Sequence, residues 1–163
     1  MGMRCYLDIE TTGISPKVYD LTVIGLAVEQ GRGMKVIQLV GDQITPLRLM
    51  RALHGVDRMY TYNGRRFDLP FIRRRLGVNL EERFLHRDLM YDCWALNLKG
   101  GLKKVEQTLG IARQTQGIDG WMAVRLWWGY INRNDSEALR TLLAYNREDV
   151  VNLRTLRRKL GIR

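Results

Sequence analysis

The chain predicts an α/β fold: a mixed five-stranded sheet flanked by helices, with a helical C-terminal half. Three observations carry that expectation. β-branched runs joined by glycine-rich turns fill the stretch up to Val40. Strand-like and helix-like segments alternate from Thr45 to Asp88, and helical spacing alone continues from Leu89 to Leu160. Strands first, then strands mixed with helices, then helices alone is the pattern of a sheet covered by helical layers.

Met3 to Ile9 reads as the first strand, buried along its apolar run Met3 to Leu7. Leu21 to Glu29 and Met34 to Val40 follow as strands, and Gln30-Gly31-Arg32-Gly33 joins them as a hairpin turn, hence an antiparallel pair. Thr45-Pro46 is a helix start, with Thr as the cap and Pro at the first helical position. Leu47, Met50 and Leu53 then recur at helical spacing. Arg58 to Tyr62 is a short strand, and Phe67 to Leu76 is a helix closed by Gly77. Arg83 to Asp88 supplies the fifth strand. Helices are expected at Leu89 to Leu98, Leu102 to Leu109 and Trp121 to Ile131. The last helix should run from Ser136, as its N-cap, to Leu160, with Gly161 as its stop.

The chain of 163 residues suits one domain, 1–163, without repeat or linker. Lys and Arg number 27 against 17 acids, a net charge of +10 that points to a polyanion partner. Cys5 and Cys93 lie apart in apolar surroundings and outside any metal-type spacing, so they read as reduced thiols. The N-terminus shows no signal-peptide pattern, and the apolar run Leu21 to Val28 is too short to span a bilayer. Together these imply a cytoplasmic protein with no membrane association.

The acids give the chemistry. Asp8 and Glu10 close the first strand one residue apart, so both face the same side, with Cα atoms about 6–7 Å apart. Such neighbours repel, and a hard divalent cation between them offsets the cost. Alone, the pair reads first as a solvated strand end. Asp68 follows Tyr62-Asn63-Gly64-Arg65-Arg66-Phe67 near a helix start, where it could equally complement the helix dipole. Tyr145 and Asp149 are one turn apart on the last helix and project together. Asp149 alone could pair with a nearby arginine.

Taken in order, Asp-x-Glu, Asn-Gly-x-x-Phe-Asp and Tyr-x-x-x-Asp resemble the DEDD 3′–5′ exonucleases of the ribonuclease H-like superfamily. Asp8 and Glu10 match the first motif, Asp68 the second and Asp149 the third. Tyr145 matches the tyrosine of the DEDDy branch, whereas Ala144 stands where the histidine branch has His. The segment from Gly117 to Leu156 is similar to the RNase_H_2, or YprB-like, exonuclease domains.

The resemblance implies that Asp8, Glu10, Asp68 and Asp149 bind two divalent ions, Mg2+ or Mn2+, and that Tyr145 aims the attacking water. It implies a substrate of single-stranded DNA or RNA with a free 3′ end. The terminal nucleotide would lie near Thr11, Thr12 and Gly13. Asn63 and Phe67 match positions lining the strand's path, and read equally as a turn residue and a core aromatic. Arg65 and Arg66, with Arg73 to Arg75, could grip phosphates or form a solvated face. Trp127, Trp128 and Tyr130 read as core before they read as base-stacking groups. Asp88 reads as a helix cap. The rival reading is a nucleic-acid-binding or scaffold domain without turnover, working within a larger repair or RNA-processing assembly.

Overall fold

The computed structural model describes residues 2–163. Its strands are β1 (Met3–Thr11), β2 (Leu21–Gln30), β3 (Gly33–Val40), β4 (Val56–Thr61) and β5 (Leu85–Asp88). Its helices are α1 (Pro46–Ala52), α2 (Asp68–Leu76), α3 (Leu89–Ala95), α4 (Leu102–Thr108), α5 (Gly120–Arg133) and α6 (Ser136–Lys159). The five-stranded sheet has the order β3-β2-β1-β4-β5. β1, β2 and β3 form the antiparallel meander, and β4 and β5 join in parallel beside β1, so the sheet is mixed as expected.

Alternation along β1 assigns its faces. Cys5, Leu7 and Ile9 pack with Ile24, Leu26 and Val28 of β2 against Leu49 and Leu53 and against Leu69, Phe71 and Ile72 of α2. Tyr6 faces the other way, onto Val150, Leu153 and Leu156 of α6. β2 is buried along most of its length because helices cover both of its faces, which is why its sequence is continuous rather than alternating. Asp8 and Glu10 share the parity of Tyr6, so they lie on the α6 side.

Local signals set most boundaries. The Thr45 hydroxyl accepts from Arg48 N–H, with Pro46 opening α1. Gly77 is left-handed at φ +68° and closes α2. α3 stops at Ala95, short of the expected Leu98. Asn97 turns left-handed there, and the Asn97 and Leu98 N–H groups return to the Trp94 and Cys93 carbonyls. The fifth strand starts at Leu85, because Arg83 and Phe84 N–H bond back to Leu80 O in a turn. The expected Ser136 cap is corrected to Asp135, whose carboxylate accepts from Ala138 N–H at 3.0 Å. Both residues are capping types, and the carboxylate makes the stronger acceptor at a helix start.

Trp127 is core, as expected, and its ring lies 5.7 Å from that of Tyr130, while Trp128 is half exposed. Cys5 and Cys93 are buried free thiols. Among the described residues no helix is long and apolar enough to cross a membrane.

Candidate active site

Three layers deliver the acids. β1 ends with Asp8 and Glu10 on its α6 face. α6 crosses that face and presents Tyr145, Asn146 and Asp149, all buried. Asp68 arrives from the opposite layer, at the first turn of α2, and its Oδ1 accepts from Ile9 N–H at 3.1 Å. That bond lies between the two acids of β1 and ties the second motif to the first.

The close approach of α6 depends on a glycine. Gly25 pairs with Asp8 in the β1–β2 register. A Cβ there would stand 2.1 Å from Asn146 Oδ1, so only glycine leaves room for the amide. Asn146 Nδ2 donates to Asp8 Oδ2 at 3.1 Å, and its Oδ1 accepts from Gln38 Nε2 at 3.0 Å. A chain of two amides thus orients the first carboxylate.

Asp8, Glu10 and Asp149 each offer a carboxylate oxygen, and the three oxygens lie within 4.8 Å of one another. They open into a cavity of about 420 Å³ lined also by Thr11, Gly13, Asn63, Phe67, Asp68 and Tyr145. Ile14 and Trp121 line it too, and both are strongly exposed. Glu10 Oε1 is buried without a hydrogen-bond partner. A buried, unpartnered carboxylate oxygen beside two further acids is the environment that a hard divalent cation satisfies, so the donor set fits Mg2+ or Mn2+.

Electrostatics agree. Burial, then the charges of Asp149, Glu10 and Asp68, hold Asp8 well above the usual carboxylate range. Burial and the neighbouring Asp149 and Asp68 do the same to Glu10. Burial pushes Asp68 up to about 7 and Asp149 up to about 6, the latter against the pull of Arg113. In the metal-free protein these groups bind protons more tightly folded than unfolded. Their stabilising contribution is therefore complete below about pH 4 and is lost as pH rises through about 6 to 7. Divalent cations favour the ionised form and should reverse the trend. In thermal melts, the stabilisation by Mn2+ over a chelated control should grow between pH 5 and pH 7.5. A pH-independent increment would contradict the shared-carboxylate arrangement.

The other predicted residues divide. Thr11 Oγ1 donates to Gly13 O at 2.6 Å and shapes the turn, whose glycine packs under the Tyr19 ring. Thr12 turns its hydroxyl to Asp20 N–H at 2.9 Å and does not line the cavity. Asn63 is left-handed at φ +62° and its N–H donates to Asp88 Oδ1 at 2.8 Å. Asp88 also accepts from Arg65 N–H and caps α3 through Met90 N–H. Arg65 and Arg66 stand outside the cavity, against Glu81 and the Tyr91 and Trp94 rings.

Sequence reasoning missed Asn146, Lys103 and Arg113. Asn146 carried a signal, being a polar residue on the apolar face of α6. Lys103 lines a smaller cavity with Asp8, Tyr145 and Asp149, and its ammonium lies 4.6 Å from the Tyr145 ring centroid. Arg113 pairs with Asp149, so that acid lies both in the carboxylate cluster and in an ion pair.

A mixed sheet with this strand order and an acidic cluster on its central strand defines a ribonuclease H-like α/β fold. The chain belongs to the RNase_H_2 family of the RNase_H superfamily, which it matches over residues 5–161. No curated protein matches its sequence. Among solved structures it is similar to the family B DNA polymerase of the hyperthermophilic archaeon Pyrobaculum calidifontis, with TM-score 0.73 and 20% identity, over 99% of this chain and 25% of the polymerase. It thus spans about a quarter of that protein's length. A nuclease in its apo form superposes with TM-score 0.66 at 23% identity, over 98% of this chain and 72% of that one. NrnC of Brucella melitensis does so with TM-score 0.63 at 22% identity, over 97% and 71%. At these identities the likeness is one of fold.

Proposed function

We propose that the chain is a DEDDy-type 3′–5′ exonuclease. It would hydrolyse the terminal phosphodiester at the free 3′ end of single-stranded DNA or RNA, using two Mg2+ or Mn2+ ions, and release nucleoside 5′-monophosphates. One observation carries the reading: Asp8, Glu10 and Asp149 converge within 4.8 Å beside Tyr145, in a cavity open to solvent. Two relatives in fold add support, since NrnC has also been solved with bound Mg2+ and Escherichia coli exonuclease I with single-stranded DNA. The net charge of +10 suits a polyanionic substrate.

Asp8, Glu10 and Asp149, with Asp68 behind them, would hold the ions. When bound, divalent ions supply the Lewis acidity that ionises water and offsets charge at the phosphoryl oxygens. The water oxygen bonds to phosphorus, the bond to the preceding 3′ oxygen breaks, and that oxygen leaves with a proton as the new 3′ hydroxyl. Burial and the charges of Asp149, Glu10 and Asp8 push the Tyr145 phenol up from its ordinary range. It therefore stays protonated at neutral pH and serves as a hydrogen-bond donor that aims the water, not as a base. Thr11, Gly13, Asn63 and Phe67 would line the terminal nucleotide, with Thr12, Arg65 and Arg66 further along the strand.

The test uses 5′-labelled single-stranded DNA and RNA with Mg2+ or Mn2+. Stepwise shortening from the 3′ end is expected, with resistance in a strand closed by a 3′-phosphate. Circular single strands cut as readily as linear ones would overturn the assignment of polarity.

A further inference from the structure

Arg113 lies in the segment between α4 and α5, far in sequence from the motifs, yet its side chain is only 10% exposed. Three acids surround its guanidinium. Nη1 donates to Glu106 Oε2 at 2.7 Å, Nη2 donates to Asp149 Oδ1, and Nε lies 3.7 Å from Glu148 Oε2. The guanidinium carbon lies 5.5 Å from the Tyr145 ring centroid. Glu106 is fully buried. Glu148 accepts from the Gln114 and Thr115 N–H groups, which clamps the segment onto α6 one residue before Asp149.

This arrangement exceeds what holding a loop requires. Glu148 with the two N–H groups already holds it. A buried guanidinium adds desolvation cost that only well-formed pairs offset. Its five donors sit in a rigid plane, so one contact with Asp149 and one with Tyr145 fix the relative placement of both. The bond to Asp149 Oδ1 limits rotation of the carboxylate and so fixes how it faces Asp8 and Glu10.

We infer that Arg113 is a positioning residue for the proposed reaction: it holds the Asp149 carboxylate in one orientation and seats the Tyr145 ring against it, without touching substrate. The inference rests on the exonuclease reading above. Its consequence is a specific pattern. Partners that orient metal ligands are typically worth about 10–100-fold in metal affinity or activity. Loss of Arg113 should therefore weaken Mn2+ binding and lower kcat, while KM for the oligonucleotide stays within about twofold.

Two variants test it. Arg113→Lys keeps the charge but loses the fork. Arg113→Gln combined with Glu106→Gln removes the guanidinium together with the buried carboxylate it would strand. Mn2+ binding is measured by electron paramagnetic resonance without substrate, alongside kcat, KM and thermal melting. Folded variants with Mn2+ affinity reduced about 10-fold or more, and with kcat but not KM affected, support the inference. Folded variants with wild-type Mn2+ affinity and kcat overturn it, as does loss of the fold in both. If the wild type binds Mn2+ but cleaves nothing, the exonuclease reading fails while the affinity ratio still decides the role of Arg113. If the wild type binds no Mn2+, both fail.

Discussion

Asp8→Asn is expected to abolish cleavage while leaving the fold intact. Asp8 is the acid on which the others converge: Glu10 lies two residues along the same strand face, Asp149 faces it from α6, and Asn146 donates to its Oδ2. The asparagine has the same shape, and its amide oxygen can still accept from Asn146. The neutral amide also replaces a carboxyl whose ionised form burial and the charges of Asp149, Glu10 and Asp68 disfavour, so the chelated variant should melt no lower than the chelated wild type. What disappears is the anionic ligand that the proposed site would offer an ion. Removing a single group that stabilises developing charge costs about 10²–10³-fold in rate, and an anionic metal ligand should cost at least that. Oligonucleotide cleavage, with the melting shift on adding Mn2+, checks both halves. Undiminished, chelator-resistant turnover by Asp8→Asn would sink the metal-dependent reading.

Much of this architecture was legible in the sequence because its signals are local. Period-two alternation puts Asp8 and Glu10 on one face. Thr45-Pro46 and Gly77 mark helix ends by backbone chemistry alone. A four-residue spacing puts Tyr145 beside Asp149. What stayed hidden depends on contacts between distant segments. Arg113 and Asp149 are separated by 36 residues, and nothing in the glycine-dotted stretch from Gly110 to Gly120 signals a buried guanidinium. Gly25 carries no signal of its own within the second strand, and its role shows only with Asn146 in the space its side chain would fill. Asp135 and Ser136 compete for one cap position, and spacing does not choose between them. By charge and proximity to the second motif, Arg65 and Arg66 could grip phosphates or form a solvated face, and the sequence does not choose. Their partners, the Tyr91 and Trp94 rings and Glu81, come from segments that no local spacing relates to the second motif.

Tyr145→Phe should lower turnover strongly and leave binding nearly unchanged. The ring belongs to the small core formed with Val23, Ala123, Trp127 and Leu142, and it is only 8% exposed. Phenylalanine keeps that packing and the contacts with Lys103 and Arg113, so Asp149 stays in place. Alanine would open a cavity, with a cost of about 3–5 kcal/mol by analogy with other aromatic truncations, and would confound chemistry with stability. The variant therefore isolates the hydroxyl. Burial among carboxylates keeps that hydroxyl protonated, so in the proposed reaction its contribution would be one hydrogen bond donated to the attacking water. Groups that place or polarise a reacting atom contribute about two to four powers of ten in rate. The expected result is a fall of that size in the single-turnover rate, with oligonucleotide affinity and Mn2+ affinity within about twofold of wild type. The pH profile should keep its shape, because the lost group does not titrate in the working range. A phenylalanine variant with unchanged turnover would assign Tyr145 to the core alone and leave orientation of the water to another donor, such as Lys103, which lines a cavity with Asp8 and Asp149.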